Sequence, residues 1–163
     1  KILAVDLNKK RLQIAKKLGA TDIFKSSNIN QEEIIKKISN KTKTSSYDIV
    51  ISANGNIKSH ELACGLVGKK GVVNLFGGIP KNLSKKMTID SNMIHYKQAS
   101  ITGSFSSAQS HLTKAFKIIR NKSIDFSKIV TSNANFENLN HKLFLLKNHK
   151  EIKSIFIPKH EKL

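Results

Sequence analysis

Along this chain, short continuous apolar runs alternate with segments whose apolar residues recur every three or four positions. Ile2-Leu3-Ala4-Val5, ending in Asp6, reads as a strand buried on both faces. Lys9–Leu18 then places Leu12, Ala15 and Leu18 on one helical face, and Gly19 stops the helix. Ala20–Phe24 reads as a second strand. Asn30, with Glu33 three residues on, resembles a capping box for a helix carrying Ile34, Ile35 and Ile38. Asn40–Ser46 is polar and aperiodic, a loop. Tyr47–Ser52 is the next buried strand, followed by a turn at Asn54-Gly55, a helix over Ile57–Val67 and a strand over Gly71–Phe76 closed by Gly77-Gly78-Ile79-Pro80. Lys81–Tyr96 reads as loop with one short element, and Ala99–Phe105 as a strand. Ser107 or a neighbour is expected to cap a helix carrying Leu112, Ala115, Phe116 and Ile119. A short strand at Ile129-Val130, a helix over Leu139–Lys147 and a last strand over Ile152–Ile157 complete the pattern. Strands alternating with helices predict an α/β fold with a parallel sheet and right-handed crossovers.

At 163 residues and 39% hydrophobic, the chain has room for one domain or part of a larger enzyme, and enough apolar content for a core. Its longest apolar runs fall far short of the roughly 20 residues of a membrane span. It shows no signal-peptide pattern, and its start at Lys1 rather than Met implies an upstream segment. The single cysteine, Cys64, excludes an internal disulfide, and a reducing, cytoplasmic setting is expected. The net charge of +18 points at first to nucleic acid. Yet only Arg11 and Arg120 are arginine, the residue that reads phosphates and guanines bidentately, and the lysines are spread along the whole chain. With Asn and Ile also abundant, an AT-rich coding bias accounts better for the charge than a nucleic-acid partner does.

Asp6 is the most informative single residue. An acid at the end of the second strand of a nucleotide-binding α/β domain accepts hydrogen bonds from the adenosine ribose and repels the 2′-phosphate of NADP, so it selects NAD. Alternatively, Asp6 caps the helix that follows. Spacing alone leaves both readings open.

Longer stretches carry a resemblance. Val5-Asp6-Leu7-Asn8-Lys9-Lys10-Arg11-Leu12, then Ala15–Asp22, is similar to the second strand and helix of medium-chain, zinc-dependent alcohol and polyol dehydrogenases. In the same order follow Tyr47–Ile51 with Asn54-Gly55-Asn56, Val72–Gly78, and Ile94-His95-Tyr96-Lys97 with Ile101-Thr102-Gly103-Ser104. The turn Phe76–Lys81 and the Ile94–Ser104 segment most resemble the bacterial sorbitol (L-iditol 2-) dehydrogenase branch. Asp125–Thr131 through Ile152–Ile155 resembles the family's C-terminus, so the resemblance covers essentially the whole chain.

The resemblance implies a partial Rossmann fold, a doubly wound parallel sheet lacking its first strand and Gly-x-Gly-x-x-Gly turn, over residues 1–105. Residues 106–163 would be a C-terminal return segment that packs on the absent catalytic domain. It implies hydride transfer between NAD and a secondary alcohol of a polyol, with zinc polarising the alcohol oxygen. Zinc is expected only in the absent N-terminal part, because this chain has no Cys/His/Glu constellation at ligand spacing. On the residues that match, Asp6 would bind the adenosine ribose and Arg11 would lie over the adenine or ribose. Ala53, Asn54 and Gly55 would form the turn beside the adenosine, with Gly55 allowing close backbone approach. Phe76, Gly77 and Gly78 would border the nicotinamide half, and Gly103, Ser104 and Phe105 would offer backbone groups to its carboxamide. Lys153 matches a position where some relatives set a basic residue against the pyrophosphate. The expected partners are a small polyol or alcohol and further copies of the chain, with neither nucleic acid nor membrane. As an isolated fragment the chain is expected to be inactive.

The remaining chemistry-bearing residues read as structural. His95 reads as a loop-packing residue. His60, His111, His141, His149 and His160 share no spacing with an acid or cysteine, and Cys64 reads as a small buried hydrophobe. Two other classes stand beside the enzyme: a non-catalytic remnant or interaction module that dimerises through the Ala99–Phe105 strand, and a basic nucleic-acid-binding domain. Phosphate binding in the latter would weaken steeply with salt.

Overall fold

Among the described residues, side-chain oxygens open four of the six α-helices, and the paired strands are all parallel. The structure, a computed structural model, describes residues 1–27, 30–122 and 124–158. Two compact units emerge, one of residues 1–25 with 108–163, the other of residues 26–107.

In the first unit, β1 (Leu3–Asp6) pairs in parallel with β2 (Asp22–Lys25), Leu3 opposite Asp22 and Asp6 opposite Lys25. Between them runs α1 (Lys9–Lys17), capped by the Asn8 side chain, which accepts from the backbone amides of Lys10 and Arg11. Leu12 and Ala20 are buried here, and Gly19 takes a φ of 110° that a side chain would resist. Further along the chain, α5 (Gln109–Arg120) begins at Ala108. The expected Ser107 cap is not used. Instead His111 reaches back from the third helical position and its Nδ1 accepts the Ala108 amide. Leu112, Phe116 and Ile119 form an apolar stripe on α5, yet none of its residues is buried. A single 3₁₀ turn at Phe126–Lys128 leads into β6 (Val130–Ala134), which pairs in parallel with β7 (Lys153–Phe156) around α6 (Leu139–Lys147). The β6 strand is longer than its apolar dipeptide implied, because the polar residues Ser132 and Asn133 pair with β7, with Thr131 at a register shift.

In the second unit, α2 (Gln31–Thr42) is capped by Asn30, whose Oδ1 accepts the Glu33 amide at 2.7 Å. The Glu33 carboxylate turns outward to Lys37 at 2.6 Å, so only half of the capping box forms. The helix runs past the expected loop start at Asn40 because Thr42 donates its hydroxyl to the Ile38 carbonyl. Then β3 (Tyr47–Ser52), α3 (Ile57–Leu66, capped by Asn56), β4 (Val67–Leu75), α4 (Ser91–Lys97, capped by Asp90) and β5 (Ser100–Gly103) build one sheet of order β3-β4-β5. β4 begins four residues before Gly71, and Lys70 adopts a left-handed φ of 57° at the register shift opposite Tyr47 and Ile49. Ala63, Cys64, Val67 and Val73 form the buried core, with Val50, Leu75 and Ile101 packed against it. The Lys97 ammonium closes the end of α3 by donating to the Val67 carbonyl at 2.7 Å.

Among the described residues, β1 is bonded on one side only, to β2, and β3 on one side only, to β4. No helix among them is long and apolar enough to cross a membrane.

Candidate functional site

Three strand ends define the site on the second unit. The segments 53–55 and 76–78 follow β3 and β4, and 103–105 starts on the last residue of β5; these strands lie side by side and parallel, so all nine residues share the carboxyl edge of one sheet. Ligands of open parallel sheets bind at that edge. The turns are locked together at the backbone. The Ser52 carbonyl accepts both the Phe76 and Gly77 amides, at 3.1 and 3.0 Å. A Cβ at Gly77 would overlap the Asn54 backbone, and one at Gly55 would sit 2.6 Å from the Gly78 carbonyl oxygen. Both glycines are therefore fixed by close approach of the two turns.

Gly78 and Gly103 differ. A Cβ at either meets nothing within 4 Å, so these bare backbone positions border open space. The Ser52 hydroxyl is buried with no hydrogen-bond partner among the described residues. Phe105 is fully exposed and Phe76 63% exposed, which leaves two aromatic faces unpacked at the same edge. Asn74 joins the ends of β4 and β5, its Nδ2 donating to the Ser104 hydroxyl at 2.8 Å.

The first unit contributes a separate cluster. Asp6 Oδ1 accepts the Asn8 amide at 2.7 Å, while Oδ2 faces Arg11 Nη1 at 3.7 Å. Asn8, not Asp6, caps α1, so the capping reading of Asp6 reduces to a bend that leads into the true cap. About a third of each of the Asp6 and Arg11 side chains remains exposed. Arg11 Nη2 also contacts His149 Nδ1 at 2.9 Å. Lys153 lies exposed on β7, its side chain without a hydrogen bond or ion pair among the described residues.

Sequence reasoning missed three residues that shape these clusters. His60 is buried, with Nε2 3.2 Å from the Asn54 carbonyl; a carbonyl only accepts, so this nitrogen carries the proton and holds the turn. Asn74 and His149 complete the set. No spacing signal marks them, because their partners are 6, 30 and 138 residues away. His160 lies outside the described residues. Cys64 is buried in the core as expected, and burial, together with the Glu61 charge, pushes its thiol pKa up against a smaller lowering by Lys97. Among the described residues, no group of three or more His, Cys, Asp or Glu side chains could hold a metal ion.

Residues 1–121 match the zinc-binding dehydrogenase family. The chain belongs to that family. Over 156 residues it is 27% identical to D-xylulose reductase A of Aspergillus oryzae, a match covering 95% of this chain and 42% of that protein. Benzyl alcohol dehydrogenase of Acinetobacter calcoaceticus superposes with a TM-score of 0.82 at 20% identity, over 97% of this chain and 42% of that one. A Sinorhizobium meliloti structure with NADP bound gives 0.82 at 18% identity, over 97% and 45%. This zinc-binding dehydrogenase chain thus spans less than half the length of those relatives, and has the Rossmann-like α/β fold of the cofactor-binding domain of medium-chain dehydrogenases.

Proposed function

We propose that this zinc-binding dehydrogenase chain is the cofactor-domain portion of an NAD-dependent, zinc-dependent polyol or alcohol dehydrogenase of the sorbitol (L-iditol) type. The observation that carries the reading is the shared carboxyl edge of β3, β4 and β5, with two glycines open to a ligand and two locked by packing. When bound, NAD supplies the hydride acceptor for a secondary alcohol carbon. The chain's own residues bind and orient it. Asp6 accepts the adenosine ribose hydroxyls and Arg11 covers the adenine or ribose. The Ala53-Asn54-Gly55 turn lies against the adenosine, Phe76-Gly77-Gly78 against the nicotinamide half, and Gly103-Ser104-Phe105 present backbone groups to the carboxamide. Lys153 supplies a positive charge for the pyrophosphate.

The described residues do not fit zinc, so we derive no step through it and assign it to the part of the relatives' length that this chain does not span. In the same reading, residues 1–105 form the cofactor portion and residues 106–163 return to the catalytic part. The protein is a cytoplasmic homo-oligomer, and this chain alone does not turn over substrate. Relatives named for xylulose, benzyl alcohol and L-idonate make small polyols and alcohols the substrates to try. The test is calorimetric titration of the intact protein with NAD and NADP, followed by turnover of sorbitol, xylitol and L-iditol. Binding of NAD with oxidation of at least one polyol is expected; absence of binding to either nucleotide would overturn the reading.

A further inference from the structure

We propose that His149 is a positioning residue for cofactor choice, holding the Arg11 guanidinium against Asp6 and away from the position of a nucleotide 2′-phosphate. This rests on the reading of Asp6 and Arg11 as the adenosine-ribose corner. An arginine has five donors and no acceptor, so the 2.9 Å contact between Arg11 Nη2 and His149 Nδ1 requires a lone pair on Nδ1. Nδ1 is therefore the acceptor of this hydrogen bond and Arg11 its donor.

The residue is held in that place by two further features. It follows α6 with a left-handed φ of 54°, and its carbonyl accepts the Asn8 side-chain amide at 3.3 Å. Asn8 is itself the cap of α1, so the turn carrying His149 is tied to the turn that carries Asp6 and Arg11. The guanidinium is thus engaged at both ends, Nη2 on His149 and Nη1 at 3.7 Å from Asp6 Oδ2.

The consequence is one of specificity. An arginine beside the ribose accommodates the 2′-phosphate of NADP, whereas an acid there repels it. Both residues are present here, so the outcome depends on which way Arg11 is turned. With His149 as acceptor, Arg11 stays with chain partners and Asp6 is left to meet the ribose hydroxyls. Without it, the guanidinium is released from one of two anchors and can pair bidentately with a phosphate.

The experiment measures NAD and NADP dissociation constants of the intact protein and four variants by calorimetry, with thermal melting as a folding control. His149→Gly is the central variant, because glycine tolerates the left-handed backbone and offers Arg11 no side-chain acceptor. The ratio of the NADP to the NAD dissociation constant is expected to fall about three- to tenfold, the scale of one partly exposed charge-assisted contact. His149→Asn, whose Oδ1 lies as many bonds from the backbone as imidazole Nδ1 and which also tolerates the left-handed backbone, should keep most of the original ratio. In Arg11→Ala, adding His149→Gly should change nothing further. A ratio that moves less than twofold or rises in His149→Gly, or that falls equally in His149→Asn, overturns the inference while leaving the nucleotide site intact. A purely structural role would weaken both nucleotides alike and leave the ratio fixed. Failure of the unaltered protein to bind either nucleotide overturns the inference and the underlying reading together.

Discussion

The two units reach order by different means. In residues 26–107, β4 is bonded on both sides, and α3 lays Ala63, Cys64 and Leu66 against it, so Val67 and Val73 are fully shielded. Among the described residues of 1–25 and 108–163 the strands form two ladders of two, and of the hydrophobics only Leu12, Ala20 and Ala134 are buried. Two-stranded ribbons are marginal by themselves, and burial on a third strand or a helix is what stabilises them. The second unit carries its own core. The first carries polar fastenings instead: the Lys142–Glu151 pair at 2.9 Å, the Ser132–Glu151 hydrogen bond and the reciprocal side-chain-to-amide bonds of Asn135 and Asn138. Apolar surface is left exposed in both, on the α5 stripe of one and at Ile49 and Ile51 of the other, 68% and 62% exposed. Strand residues of that kind face a covering layer in a doubly wound sheet.

The largest effects should fall on the second unit. Ile38→Ala removes a fully buried side chain and is expected to cost about 2–5 kcal/mol in urea unfolding of the intact protein. If it costs under about 1 kcal/mol, the second unit does not carry the core. Gly77→Ala should also lower the melting temperature by several degrees, because the added methyl overlaps the Asn54 backbone. By contrast, Gly78→Ala and Gly103→Ala meet no chain atom and should leave the melt unchanged while weakening NAD binding. A lowered melt without loss of affinity would show that these glycines serve packing.

Next in size is cofactor preference. Asp6→Ala should weaken NAD and improve relative use of NADP, and an unchanged preference in calorimetry would remove Asp6 from the site.

Amide exchange sharpens the comparison further. Residues 72–75 of β4, bonded on both sides, should be the most protected, and β1 and β3 on the free edges clearly less so. The 163-residue chain alone is expected to melt broadly, since β1 and β3 each keep an unpaired edge and apolar strand residues such as Ile49 and Ile51 stay uncovered. A sharp cooperative melt with both edge strands protected would contradict this.

The smallest effects belong to the first unit's fastenings. The Ser132 hydroxyl, then Lys142, hold the Glu151 carboxyl below its ordinary pKa of 4.5. A depressed carboxyl contributes stability that is complete above the unfolded value and lost as pH falls through the folded one. Glu151→Gln should therefore lower stability near neutrality, where the contribution is complete, and flatten its fall below about pH 4.5. Leu112→Ala on exposed α5 should stay within about 0.5 kcal/mol.

The strand and helix alternation was legible in the sequence, because buried runs and polar caps such as Asn30 are local signals. Asp6, Gly55 and Gly77 could be named from motif resemblance for the same reason. The boundaries that differed were decided by contacts. The Thr42 hydroxyl on the Ile38 carbonyl prolonged α2, His111 replaced a serine cap at α5, and pairing with β7 extended a polar strand beyond Val130. Which glycines are packed and which are open is likewise a property of distance between turns, not of residue type. His60 and His149 were silent because imidazole acts here through partners that sequence separation hides. Local chemistry wrote the order of the elements; only the folded chain, by bringing residue 149 to residue 11, determined which charged groups share a surface.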